Sequence, residues 1–381
     1  MAVGALSFIR TDNTEAMPPP STLRGPLAWA RANLFSSPGN IALTILVLAL
    51  LAYILPPTIR FLLTDAVWSG LDRNACREDV VGHPVGACWA FIRDRFPYFI
   101  YGSYPGPERW RVDLFFVLLA IGGAWMLWLE APARGIGAIY FFVVFPVLTF
   151  ILLSGFPALG LAEVPTALWG GLLVTIVVSS VGIITSLPLG ILLALGRRSR
   201  LPVVRLFSVA FIEIVRGVPL ITVLIMANAM LPLFLPVGWS VDRLMRPLIG
   251  VSLFAAAYMA ETVRGGLQAI PKGQYEGAMS LGLGYWQSMA FIILPQALRI
   301  VIPGIVSTFI GLFKDTTLVA IVGLFDFVRT IEASRVDPIW AAPTVSITGY
   351  AFAALFYFIC CFGMSRYSLM IEGRLAAGQR R

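Results

Sequence analysis

The chain has 381 residues, 58% of them hydrophobic and 13% charged, with a mean hydropathy of +0.85. That charged share is about half of what a soluble globular domain carries, which excludes a water-soluble fold. The net charge of +8 comes from 26 Arg and 2 Lys against 20 acidic residues, scattered between apolar runs rather than gathered on one face, which excludes nucleic acid as a partner.

Residues 1–40 contain Pro18-Pro19-Pro20 and scattered charge, lack the short apolar core of a signal peptide, and read as a flexible cytoplasmic tail. Eight apolar runs of membrane-crossing length follow, expected at 41–59, 114–129, 137–153, 169–195, 206–235, 248–262, 288–312 and 345–364. The fifth is interrupted at Arg216-Gly217-Val218-Pro219. The fold class is an all-α integral membrane protein. A composition shift at 154–167 separates three N-terminal accessory spans (41–165) from a five-span core (166–364), and 365–381 reads as a second tail.

An even span count puts both termini on one side. With that side taken as the cytoplasm, inside segments hold 14 Arg or Lys and outside segments 12, seven of which surround the long first loop. Short loops decide orientation, so the count favours cytoplasmic termini, with basic residues meeting lipid headgroups. The first loop, 64–111, then lies outside and carries Cys76, Cys88 and the only histidine, His83. Two cysteines in an exported loop favour a disulfide, with two free thiols as the alternative. Cys360-Cys361 lies inside the last span and reads as packing.

The chemistry for catalysis is missing. One histidine cannot form a zinc-protease motif, no two acidic residues share helical spacing within a span, and no metal-ligand set is present. The glycines of "SLGLG" follow no strand and lack the Lys-Ser or Lys-Thr pair of a phosphate loop. A transporter of this composition draws its energy from an ion gradient or from another protein.

Between the sixth and seventh spans, 263–287 is expected to hold a short helix on the membrane surface. Pro271 starts it, Gln274 and Glu276 suit its first turn, and Gly282 and Gly284 end it. Its pattern, Glu276-Gly277-Ala278, then Gly282, then Ile292, Leu294 and Pro295, resembles the EAA signature of ABC-importer permeases. The match extends back through Gln274 and Tyr275 and includes Ser280 and Leu281. Gly277 stands where the family usually has alanine, a change that lowers helix propensity by up to about 1 kcal/mol and that docking could offset. "FIEIVRGVPL" (211–220) and "GLFKDTTLVAIVG" (311–323) are similar to two segments of the polar amino-acid branch. The resemblance covers 167–371 and implies a five-helix type I permease core in the bacterial inner membrane.

It also implies that 271–287 is a coupling helix gripped by an ABC ATPase subunit, with ATP and magnesium in that partner and no cofactor in this chain. Further implied partners are a periplasmic amino-acid-binding protein and a second, related permease chain. Longer permeases of this kind occur in general L-amino-acid importers, which favours a heterodimer over a homodimer. The alternative, an ion-gradient-driven secondary transporter, often shows inverted repeats, and none is visible here.

Charge inside a bilayer costs several kcal/mol unless paired or wet, so it marks candidate function. Glu213 and Arg216 share a helical face. With Lys314, Asp315, Thr316 and Thr317 they form a candidate substrate pathway, suited to a zwitterion because it offers both signs. Mutual pairing that only holds helices together is the competing reading. Glu261 and Arg264, also three apart, are expected at a membrane edge, stabilising the inside loop.

Overall fold

The structure, a computed structural model, describes residues 25–379 apart from 129, 237 and 240. The first 24 residues of the expected tail lie outside the described residues. The chain divides into two units, residues 1–66 and 67–381.

In the first unit, α1 (Pro26–Asn33) replaces the expected flexible chain. Its leucine, alanine and arginine favour helix, and Pro26 occupies the first turn, where a missing N–H costs nothing. The apolar α2 (Pro38–Ile59) follows; Ser37 Oγ caps it by accepting from Asn40 N at 3.2 Å. Pro56 and Pro57 remove two donors near its end, and the chain continues as a π-turn, Arg60–Thr64.

In the second unit, the first loop is folded rather than open. It contains α3 (Glu78–Val81) and α4 (Trp89–Tyr101), and Cys76 and Cys88 are joined as a disulfide whose residues are both buried. Aromatic residues recur along 91–99 at helical spacing, so α4 can bury a face. Phe91 meets Trp340 edge-on and Phe99 lies against Phe352. Polar links pin the same joint: Trp340 Nε1 donates to Asp94 at 2.7 Å, Arg95 pairs with Asp337 at 2.6 Å, and Arg73 N donates to Ile339 O at 2.7 Å.

Two accessory spans follow: α5 (Arg109–Leu127), then α6 (Arg134–Ile139) and α7 (Phe145–Ser154) joined by a π-turn. Arg111 is buried, paired with Glu108 at 2.6 Å and donating to Ala162 O at 2.7 Å. That satisfies most of a charge that would otherwise be costly to bury.

The core is built around α8 (Gly171–Arg197), α9 (Pro202–Gly217), α10 (Leu220–Met230) and α11 (Met245–Ala269). It continues through α12 (Lys272–Ser280), α13 (Tyr285–Ser288), α14 (Leu294–Ile300), α15 (Ile302–Asp315), α16 (Phe327–Ser334) and α17 (Pro343–Gln379). Small residues bring α8 and α11 together, as is usual between helices in lipid. A Cβ on Gly190 would stand 2.7 Å from that of Met259 and 3.0 Å from Ala260 N. The short strand Phe325–Asp326 runs parallel to Gly170 and Gly171 at the start of α8.

Among the described residues, six helices are long and apolar enough to cross a membrane, and α9 with α10 makes a seventh candidate. The remaining expected span is α11, whose 25 residues include Arg246, Glu261 and Arg264.

Several boundaries need correction. The fifth span is two helices bent by 110°, because Pro219 offers no N–H and drives Val218 into extended backbone (φ −114°, ψ 139°). The seventh is broken at Val301, ahead of Pro303, and its membrane-length apolar stretch is Ile302–Val322 rather than 288–312. Lys314 and Asp315 therefore sit inside that stretch instead of near its end. The last helix does not stop at 364. It runs to Gln379, since Arg366 and Arg374 end the apolar character but no proline ends the helix.

Candidate functional site

The polar segment after α11 begins at Pro271, whose extended backbone leads into α12. Gly273 and Gly277 each cost a helix interior up to about 1 kcal/mol relative to alanine, so contacts must hold these nine residues helical. Three do so. Ala278 is buried, Tyr275 packs against the apolar cluster that includes Ala194, Leu195, Leu267 and Met289, and Gln274 Oε1 accepts from Gln296 Nε2 at 3.0 Å.

The helix ends in a Schellman turn: Leu283 N donates to Ala278 O and Gly282 N to Met279 O. Gly282 has φ +74°, a left-handed conformation that glycine adopts without penalty. The expected single helix over 271–287 is thus two, because the turn at Gly282 reverses the backbone and Gly284 caps α13 instead of ending α12.

The sequence-selected residues fall on two faces. Gln274, Tyr275 and Ala278 point to the helix bundle. Glu276, Gly277, Ser280, Leu281 and Gly282 are exposed, and the Glu276 carboxylate makes no hydrogen bond or ion pair among the described residues. Ser280 Oγ donates back to the carbonyls of Glu276 and Gly277. Leu281 is 74% exposed, Trp286 68% and Met279 64%, so the outward surface combines a free carboxylate with large apolar side chains. A cavity of about 980 Å³ separates this segment from the end of α8, lined by Leu192, Arg198, Arg200, Tyr275, Met279 and Trp286 among others.

The charged pathway set is split. Glu213 and Arg216 do not pair with each other. Glu213 takes Arg197 at 2.8 Å and Arg216 reaches Glu261 at 3.3 Å. Glu261 also meets Arg197 at 3.5 Å and Arg264 at 3.1 Å, so it joins α8, α9 and α11 instead of serving only the loop after α11. The i, i+3 spacing on α9 failed as a guide because partners on neighbouring helices were closer.

Lys314, Asp315, Thr316 and Thr317 lie elsewhere. Phe313 and Phe327 both contact Tyr357, and Phe327 N donates to Thr175 Oγ1 at 2.9 Å, placing this group toward the Gly171 end of α8. Arg197 is about 33 Å further along that helix. The Thr316 and Thr317 hydroxyls are used on the carbonyls of Phe313 (2.8 Å) and Lys314 (3.0 Å). Lys314 is exposed, Asp315 is half-buried, and Asp315 has no ion pair within 4 Å among the described residues.

One buried acid escaped the sequence reading. Asp326 caps α16, accepting from Val328 N at 3.0 Å and Arg329 N at 3.3 Å, and burial pushes its carboxyl up to about 7. An acid immediately before an amphipathic stretch was the available signal. Arg198 and Gln296 were also missed, because nothing local marks a residue whose partner is 77 or 22 positions away.

Residues 186–376, which hold the exposed segment, both charged groups and the α8–α11 contact, match the family described as binding-protein-dependent transport system inner membrane component. The chain belongs to this family. Relatives extend the likeness along its whole length. The inner membrane amino-acid ABC transporter permease protein YhdY of Escherichia coli (strain K12) is 50% identical over 93% of this chain and 94% of its own. The glutamate/glutamine/aspartate/asparagine transport system permease protein BztC of Rhodobacter capsulatus is 40% identical over 98% of this chain and 99% of its own. The shorter probable glutamine permease GlnP of Bacillus subtilis is 32% identical over 54% of this chain and 93% of its own. The pattern that begins at Glu276, which resembles the EAA signature of ABC-importer permeases, lies within the matched residues and begins on α12.

Proposed function

We propose that this chain is the permease subunit of an ATP-binding-cassette importer that moves L-amino acids across the bacterial inner membrane, with both termini in the cytoplasm. The observation that carries the reading is the two-faced α12 segment. One face is fastened to the bundle through Gln274, Tyr275 and Ala278, while the other presents Glu276, Met279 and Leu281 to solvent. A free carboxylate among exposed apolar side chains is a surface that a protein partner would cover. The partner is an ABC ATPase subunit, which holds the ATP and magnesium, and this chain supplies no catalytic group. A second, related permease chain completes the pathway as a heterodimer, and a periplasmic amino-acid-binding protein delivers substrate to the side bearing the disulfide-closed cap.

Within the pathway, Glu213 and Arg216 stand near the cytoplasmic mouth, and Lys314, Asp315, Thr316 and Thr317 stand nearer the periplasmic one. The names of the full-length relatives support amino acids as the substrate class. The test is co-purification of the tagged chain with its ATPase. Glu276→Lys should abolish it while leaving the chain in the membrane, and undiminished co-purification would remove α12 as the docking segment.

A further inference from the structure

The two arginines that close α8 are adjacent in sequence and engage different machinery. Arg198 Nη1 donates to Tyr275 Oη at 3.0 Å and to Leu267 O at 3.1 Å, with its guanidinium 5.6 Å over the tyrosine ring. Tyr275 Oη donates in turn to Leu267 O at 3.1 Å. Arg197 turns the other way and pairs with Glu213 on α9 at 2.8 Å and Glu261 on α11 at 3.5 Å. We infer that Arg197 and Arg198 form a relay that carries displacement of the coupling helix α12 to the ion-pair cluster at the cytoplasmic ends of α8, α9 and α11. This rests on the reading of α12 as the segment an ATPase grips.

The geometry favours transmission over simple bracing for three reasons. Helical backbone continues through Arg197, and Arg198 keeps near-helical angles (φ −94°, ψ −1°), so the two side chains move as one piece. Arg198 holds Tyr275 by a stack and a hydrogen bond together, a grip that resists sliding better than a point charge does. The cluster at the other end can re-partner. It sets three guanidiniums (Arg197, Arg216, Arg264) against two carboxylates (Glu213, Glu261), and Arg216 Nε is buried with no partner.

The moving part is α9. It meets α10 at the 110° break after Gly217, which gives it a pivot. Among the described residues, its ion pairs to the rest of the bundle run through Glu213 and Arg216. A shift of Arg197 that exchanges one carboxylate for the other would let α9 swing about that pivot. A discrete exchange of partners is the kind of two-state element through which coupling travels. Arg197 and Arg198 are positioning residues, since neither reaches the outward face of α12.

The test uses the assembled importer in proteoliposomes and reads amino acid taken up per ATP hydrolysed, with assembly measured separately. Arg198→Met should lower that ratio by about tenfold or more in complexes that still assemble. Tyr275→Phe, which keeps the ring and loses the hydroxyl, and Arg198→Lys should fall between. Glu261→Gln should also lower the ratio, and Arg198→Met/Glu261→Gln should be no worse than the poorer single variant, since both lie on one route. A wild-type ratio in Arg198→Met, or a double variant whose loss is the product of the two single losses, would overturn the relay. If Arg198→Met fails to assemble, Tyr275→Phe decides, and a wild-type ratio there is equally fatal. ATP-independent uptake by the wild-type complex would instead remove the coupling reading, and the relay with it.

Discussion

Replacing Gly282 with alanine, asparagine and aspartate separates three effects that one substitution would merge. At φ +74° an alanine Cβ pays roughly 1–2 kcal/mol of local strain. No heavy atom lies within 4 Å of that Cβ, so steric crowding adds nothing. Because α12 has only nine residues and two internal glycines, the strain should open its Schellman turn before it unfolds the bundle. One to two kcal/mol would shift the turn's population by a factor of roughly 5 to 30. Asparagine tolerates the left-handed region and should recover most of this, while aspartate tolerates it similarly but adds a charge directly beside the exposed Glu276–Leu281 surface.

ATPase co-purification and substrate-stimulated hydrolysis should therefore rank glycine, asparagine, alanine, with aspartate well below asparagine. Membrane levels should stay level across the set. Alanine matching asparagine would refute the backbone argument, and aspartate matching asparagine would refute the docking surface.

Other outcomes follow from the remaining sites. Asp315→Asn should leave assembly intact and lower uptake per complex, and adding Lys314→Met should not restore it; wild-type uptake in both variants would end the pathway role. Purified protein should hold one disulfide between Cys76 and Cys88, label at those thiols only after reduction on intact cells, and lose about 2–4 kcal/mol of stability as Cys76→Ser/Cys88→Ser. Labelling without reductant, or only after permeabilisation, would contradict the bond or its side of the membrane. Asp326, protonated in the folded state up to about 7 against 3.8 when unfolded, should make stability fall as pH rises across that window. Asp326→Asn should flatten the melting temperature over the same range, and an unchanged slope would show that its burial does not set the titration.

The sequence made long apolar runs and the EAA pattern legible because both are local. Hydropathy located most of the membrane-length segments but set the seventh too early, and the spacing from Glu276 to Gly282 located the glycine turn that ends α12. Bends were harder. Pro219 announced a break but not its 110°, which depends on how α10 packs against α11. The last helix outran its apolar run because hydropathy reports lipid contact, whereas helix continuation needs only backbone-compatible residues such as those from Ser365 to Gln379. Charge pairing was the least readable part. Glu213 and Arg216 share a helix face, yet each found a guanidinium or carboxylate on another helix, and Arg198 found Tyr275 across the fold. Pairing of this kind is decided by tertiary approach, which one sequence does not encode locally.

The most direct measurement is amino-acid uptake into proteoliposomes holding the assembled complex, with ATP supplied on the side of α12 and all ion gradients collapsed by ionophores. Uptake that persists, tracks ATP hydrolysis and disappears with Glu276→Lys is the predicted result. Uptake that needs an ion gradient and proceeds without ATP would contradict the account.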